Sequence, residues 1–185
     1  MNCLIQADTK LFLLINHLQN RFLDYLTLWM NSITEFALLW FFIVFLILFF
    51  DKVEKKRKIF LILLALLINS WIVNVLFKIV IFCRVRPFGA IEGVKIIGRV
   101  WENCSFPSGH VAASTTALIV LFYLFKKFRK KWLILSAVLF VLFLAFARIY
   151  AGMHYPSDVL GGTIVGLISA LLAIWLDKQI KFSNL

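Results

Sequence analysis

Three short polar clusters carry the residue types that could do chemistry in this chain. The stretch Asn103-Cys-Ser-Phe-Pro-Ser-Gly-His110 leads from a polar loop into a long apolar run, which places Ser108, Gly109 and His110 where a helix begins. Such a helix end offers unpaired N–H groups and the positive end of the dipole, Gly109 allows close approach to the backbone, and Ser108 adds a hydroxyl, so the site suits an anion. A second cluster holds Arg148 and the run His154-Tyr-Pro-Ser-Asp158, and a third holds Arg84 and Arg86. Two histidines, an aspartate and several arginines around an anion site fit phosphoryl transfer. Arginines neutralise and orient the oxygens of the transferring group. One neutral imidazole attacks phosphorus, a carboxylate fixes its tautomer, and a second, protonated imidazole donates to the leaving oxygen. This chemistry needs no cofactor and no metal, and the sequence shows no carboxylate cluster to hold one.

These clusters must be positioned by membrane helices. The chain has 185 residues, 63% of them hydrophobic, more than a water-soluble core requires. Spanning helices are expected at about 33–51, 58–83, 108–126, 131–150 and 156–177, with a sixth crossing possible in the N-terminal segment. The fold class is therefore all-α: a polytopic membrane helical bundle forming one domain over 1–185. Residues 1–32 read as interfacial helices, at about 8–18 and 22–32, because Arg21 and Asp24 fall inside the available window and each would cost roughly 2.5–3.5 kcal/mol at a helix centre. With no basic leader and no small-residue cleavage site, a cleaved signal peptide is not expected. The five-helix bundle occupies 33–177, followed by a tail at 178–185. There is no internal repeat. Ser70, Asn74 and Lys78 recur at four-residue spacing and are expected to face into the bundle, while Gly162, Gly166 and Ala170 form a small-residue seam for close helix packing.

The net charge of +11 could suggest nucleic acid, but the basic residues lie between apolar runs. Twelve of the twenty fall in 51–58, 126–131 and the tail, against four in 84–107. The positive-inside rule puts the first three segments in the cytoplasm and makes 84–107 an extracytoplasmic loop. All three polar clusters then meet at the outer face of a plasma membrane, although the orientation rests on other residues. Within the outer loop, Glu92, Lys95, Arg99 and Glu102 read as solvated charges.

Arg86-Pro87, Pro107-Ser-Gly-His110 and Arg148-Ile-Tyr-Ala-Gly-Met-His154-Tyr-Pro-Ser-Asp158 together resemble the three-part signature of the type-2 phosphatidic acid phosphatase superfamily, which includes vanadium haloperoxidases. The resemblance implies His154 as the nucleophile, Asp158 as its orienter and His110 as the general acid, with Arg86, Ser108, Gly109, Arg148 and Lys78 binding phosphate. The family usually sets its lysine one residue closer to Arg-Pro than the seven-residue interval between Lys78 and Arg86. One extra residue turns a helical side chain by about 100°, so Arg84 is a second candidate for that charge. Ala147 replaces a serine of the usual pattern before Arg148.

The resemblance implies a lipid phosphatase acting on a membrane phospholipid or lipid diphosphate through a phosphohistidine: lipid A 1-phosphate, undecaprenyl diphosphate, phosphatidylglycerophosphate or phosphatidic acid. The alternative is a non-catalytic lipid carrier with an anion pocket, which would have no use for Asp158 beside His154. Cys83 and Cys104 flank the outer loop and could form a disulfide there, although two separate thiols are the commoner state of small buried cysteines.

Overall fold

The computed structural model describes residues 3–18, 20–31, 40–42, 44, 45, 49, 54–100 and 102–180. Local chemistry sets the helix boundaries. Helix α1 spans Cys3–Asn16. Asn20 caps α2 (Arg21–Asn31), its Oδ1 accepting from the N–H groups of Phe22 and Leu23 at 2.9 and 3.2 Å. Helix α3 (Lys55–Ser70) runs on without a break as a π-helical stretch, Trp71–Ile81. A single turn, α4 (Pro87–Ala90), follows, then α5 (Gly109–Leu124), α6 (Lys131–Tyr150) and α7 (Pro156–Ile180). Pro156 starts α7 at a position where a missing N–H costs nothing, and Asp158 in its first turn faces the positive end of the helix.

Helices α3, α5 and α7 form the centre of the bundle, with α5 and α7 in the closest contact. The glycine seam explains that approach. A Cβ on Gly162 would lie 2.6 Å from the Ser108 carbonyl oxygen, and one on Gly166 would lie 2.5 Å from that of Ala112. Thr116 Oγ1 bonds both the Ala112 and Gly166 carbonyls, at 2.9 and 3.0 Å, a polar link across the same seam. The expected small-residue packing is therefore present. Facing outward instead are Leu63, Leu67, Leu135, Leu139, Leu160 and Trp175, a surface that only lipid would solvate.

Three helices are long and apolar enough to cross a membrane, Lys55–Ile81, Lys131–Tyr150 and Pro156–Ile180, with the shorter apolar α5 packed among them. They correspond to four of the five expected spans. The fifth, at 33–51, lies mostly outside the described residues. Helix α3 begins before the expected 58, so that Lys55, Lys56, Arg57 and Lys58 form its first turn rather than a loop. Arg57 makes a two-pronged pair with Asp177 of α7 at 2.9 and 2.7 Å, and Tyr123 donates to the same carboxylate at 2.8 Å. That pairing draws helix into the basic segment.

Two other expectations change. Ser70 and Asn74 do not point into the bundle: both face outward and bond one another at 3.3 Å, and the winding changes from α to π at Trp71, between the two. Lys95 is not a solvated charge. Its Nζ lies 2.9 Å from both oxygens of Asp24, while the fully buried Asn16 donates to the carbonyls of Lys95 and Tyr150 and accepts from the Lys95 N–H. The N-terminal helices are thus fastened to the loop that carries Lys95 and to α6. Cys83 and Cys104 are disulfide-bonded, with Cα atoms 5.0 Å apart, and close the loop that carries Arg84 and Arg86.

Candidate active site

A tight turn after α6 delivers the central histidine. The backbone N–H groups of Met153 and His154 both bond the Arg148 carbonyl at 3.2 Å, and Gly152 takes φ of 79°. Only glycine suits this position, since a Cβ there would also meet the Lys95 carbonyl at 2.6 Å. The turn stops α6 just after Arg148 and folds His154 back beside it. Arg148 is 2% exposed, His154 2% and Asp158 0%, so the expected cluster is inside the protein rather than on a loop surface.

His154 presents its two ring nitrogens to different neighbours. Nδ1 lies 3.6 Å from Asp158 Oδ2, within ion-pair reach though longer than a hydrogen bond. Nε2 lies 3.3 Å from Arg86 Nη1. Asp158 is itself held in place: Oδ2 accepts from the Tyr155 N–H at 2.9 Å and Oδ1 from Arg84 Nη1 at 2.9 Å. The Ser108 N–H bonds the Asp158 carbonyl at 3.0 Å, tying the start of α5 to the start of α7.

Arg86 sits on the Nε2 side. Asn103 accepts from its Nε and Nη2, and the Met153 carbonyl accepts from Nη1 at 2.8 Å. Its guanidinium plane is therefore fixed while one edge still faces His154. Lys78 lies within electrostatic reach of Arg86, Arg148 and Asp158, and His110 within reach of Arg148, His154, Lys78 and Arg86. Ser108 Oγ is buried with no hydrogen-bond partner among the described residues, and a Cβ on Gly109 would meet only Val73, at an ordinary 3.6 Å. An orphaned hydroxyl and a glycine at a helix N-terminus form a cradle for anionic oxygens.

The electrostatics favour an anion there. Burial and then Arg148, Arg86 and Lys78 push His154 well below the usual imidazole range, so it is neutral at neutral pH and Nε2 carries a lone pair when Nδ1 holds the proton. Burial likewise pushes Arg86 down to about 10, against the pull of Asp158. An incoming phosphate would relieve these costs.

Lys78 is brought in despite its offset. A π turn takes in one more residue than an α turn, so the π-helical stretch absorbs the additional residue and returns Lys78 to the bundle. Lys78→Met is accordingly expected to raise KM for a lipid phosphate about tenfold or more, with a smaller loss of kcat, measured by phosphate release; an unchanged KM would remove Lys78 from the site.

Arg84, the second candidate for that charge, has other partners. Its Nη1 donates to Ser157 Oγ at 2.6 Å and to Asp158, its Nη2 donates to Asp8 Oδ2 at 2.8 Å, and its guanidinium lies over the Tyr155 ring at 3.7 Å. It braces Asp158 from behind. The sequence alone gives no role to Asn103 or Asp8: Asn103 opens the stretch before Cys104 with no pattern of its own, and Asp8 lies far along the chain in the N-terminal segment.

Two apolar cavities lie elsewhere in the bundle, and the cluster's histidines line neither. One of about 510 Å³ lies between α5, α6 and α7, lined by Leu118, Phe122, Val138, Leu142 and Val159, the last next to Asp158. The other, about 840 Å³, lies between α1 and the segments around Arg84 and Ser157.

Comparison with known proteins supplies the family and the fold. The model of the PAP2 superfamily matches residues 58–181. The undecaprenyl-diphosphatase BcrC of Bacillus subtilis is 32% identical over 77% of this chain and 70% of its own length. The lipid A 4'-phosphatase of Porphyromonas gingivalis is 29% identical over 91% of this chain and 72% of its own. The crystal structure of the transmembrane PAP2 type phosphatidylglycerolphosphate phosphatase from Bacillus subtilis superposes with a TM-score of 0.77, covering 98% of this chain and 90% of that one, at 24% identity, and so shares the fold.

Proposed function

This chain belongs to the PAP2 superfamily, and on that premise we propose that His154 and His110 transfer a lipid phosphate to water in two steps at the outer face of the membrane. The protein is a membrane lipid phosphatase, a hydrolase, and a non-catalytic carrier is not favoured. In the first step His154 Nε2 attacks phosphorus, the bond from phosphorus to the lipid oxygen breaks, and His110 gives that oxygen its proton. The product is a phosphohistidine. In the second step water attacks phosphorus, neutral His110 takes the water proton, and the N–P bond breaks to release inorganic phosphate. Lys78, Arg86, Arg148, Ser108 Oγ and the N–H groups at the start of α5 hold the phosphoryl oxygens, while Asp158 keeps the proton on His154 Nδ1.

One observation carries this reading: Lys78, Arg86 and Arg148 converge on two histidines with Asp158 as the nearest carboxylate. So much positive charge in a buried place is stable only if an anion belongs there. The apolar cavities between the helices suit the tail of an envelope lipid. Among possible headgroups, undecaprenyl diphosphate and the phosphates of lipid A are favoured, because an outward site meets envelope lipids and the relatives' names include both. The test is phosphate release by purified protein in detergent from undecaprenyl diphosphate, lipid A, phosphatidylglycerophosphate and phosphatidic acid. Activity is expected to survive EDTA, since arginine and lysine supply the charge a metal would otherwise provide. No release from any of the four would defeat the reading.

The outward orientation is part of the proposal. The basic ends of α3 and α5 and the end of α7 lie opposite the site, and the Cys83–Cys104 bridge suits an oxidising compartment. Single cysteines placed at Gly93 and Arg129 in intact cells are expected to react with an impermeant thiol reagent at 93 and to be protected at 129. The reverse pattern would turn the protein over.

A further inference from the structure

Resting on that reading, we infer that Asp8 of the N-terminal interfacial helix is a positioning residue for the nucleophile, acting through Arg84 and Asp158. The contacts form an unbroken series. Asp8 Oδ2 accepts from Arg84 Nη2 at 2.8 Å and from Ser157 Oγ at 2.6 Å, and Asp8 Oδ1 accepts from the Ser157 N–H at 2.9 Å. Arg84 Nη1 donates to Asp158 Oδ1, and Asp158 Oδ2 faces His154 Nδ1. Arg84 is thus a bridge between two carboxylates, one reaching the nucleophile and one carried by a helix that lies on the outside of the bundle. Helix α1 exposes Leu4 (83%) and Leu14 (67%) on its outer side, which places it in the lipid interface while Asp8, its side chain 11% exposed, reaches inward.

The charges decide why a second carboxylate is useful. Asp158 Oδ2, 3.6 Å from His154 Nδ1, steadies the ring electrostatically, and more strongly once phosphorylation makes it cationic. An arginine paired with Asp158 alone would draw that negative charge toward itself. Asp8 shares the arginine, so Asp158 remains an effective partner for the imidazole. The other charged groups facing His154 are Arg148, Arg86 and Lys78, with His110 also in reach.

A structural role for Asp8 is also plain, because its Oδ1 caps the first turn of α7 from a different helix. Asn is as good a cap as Asp, so Asp8→Asn keeps the Oδ1 bond to the Ser157 N–H and replaces the charged Oδ2 that accepts from Arg84 and Ser157 Oγ with an uncharged amide NH2. The expected result is a kcat roughly 10- to 100-fold lower, as for other partners that orient a functional histidine, with KM and the melting temperature close to wild type. The acid limb of kcat/KM should move to lower pH, because Asp158 then supports the imidazolium less. Asp8→Glu, which keeps the charge, should recover part of the kcat and the wild-type acid limb. An Asp8→Asn enzyme with wild-type kcat and pH profile would overturn the inference, as would a loss that merely follows a fall in melting temperature and is not relieved in Asp8→Glu. Should Asp8→Asn fail to accumulate, Arg84→Lys decides: one ammonium cannot bridge both carboxylates as the guanidinium fork does, so wild-type kcat there would equally end the idea. Wild-type protein is assayed beside the variants on the same lipid. Inactivity of wild type would count against the proposed function, whereas an active wild type with an equally active Asp8→Asn counts against Asp8 alone.

Discussion

Alanine at His154 is expected to lower kcat by more than roughly 10⁴-fold, the scale seen when a covalent nucleophile is removed, and to leave no phosphoenzyme to trap. His110→Ala should lose roughly 10²- to 10⁴-fold, as for a general acid, but differently. Its His154 is intact, so a substrate whose leaving group needs little protonation, such as a diphosphate, should still phosphorylate the protein, and acid-labile ³²P should accumulate because the second step lacks its base. The pH dependence follows from the surroundings. His154 is buried among cations and pushed well below the usual imidazole range. It is therefore neutral over more of the acid range than a free imidazole, and the acid limb of kcat/KM should fall below about pH 6.5. As pH falls through the depressed value the nucleophile is lost; as it rises the proton on His110 is lost, which gives an alkaline limb in wild type that His110→Ala should lack. Near-wild-type turnover in His154→Ala, or a rate without an alkaline limb up to about pH 9, would dismantle the assignment.

Much of this site could be read from the chain because its chemistry is concentrated in short motifs at helix ends. Ser108, Gly109 and His110 begin α5, and Arg148, His154 and Asp158 straddle one turn; local spacing alone brings such residues close. The helices were equally legible, since lipid demands long apolar runs. What could not be read depends on irregularity or on distant pairing. Whether Lys78 reaches the site turns on a switch from α to π winding, which apolar periodicity does not report, and that switch falls between Ser70 and Asn74. The place of Arg84 depended on Asp8, seventy-six residues away. Lys95 reads as solvated because Asp24 and Asn16 belong to helices whose docking on its loop leaves no local signature. The disulfide stood between two readings until the loop was closed in three dimensions.

Arg148 should show that the site trades stability for function. It is fully buried in the last turn of α6 with Arg86 as a like-charged neighbour. Burying a guanidinium is costly, and a second one nearby adds repulsion, so replacement by an apolar side chain of comparable length should be neutral or stabilising in the free protein. Arg148→Met is therefore expected to melt at or above the wild-type temperature. Its catalysis should nevertheless collapse, because Arg148 supplies charge where the transferring phosphoryl group becomes most negative in character; removal of one such preorganised donor elsewhere costs roughly 10²- to 10³-fold, and a loss of at least that size is expected in kcat/KM. Inorganic phosphate or vanadate separates the two effects. Either anion should raise the melting temperature of wild type by binding the folded state, and should raise that of Arg148→Met far less. Arg148→Lys should restore part of the anion-induced shift but little of the activity, since an ammonium brings the charge without the planar pair of donors. If Arg148→Met melts several degrees lower and keeps a tenth or more of wild-type kcat/KM, then Arg148 is there for packing, and the phosphoryl oxygens are held by Arg86 and Lys78 without it.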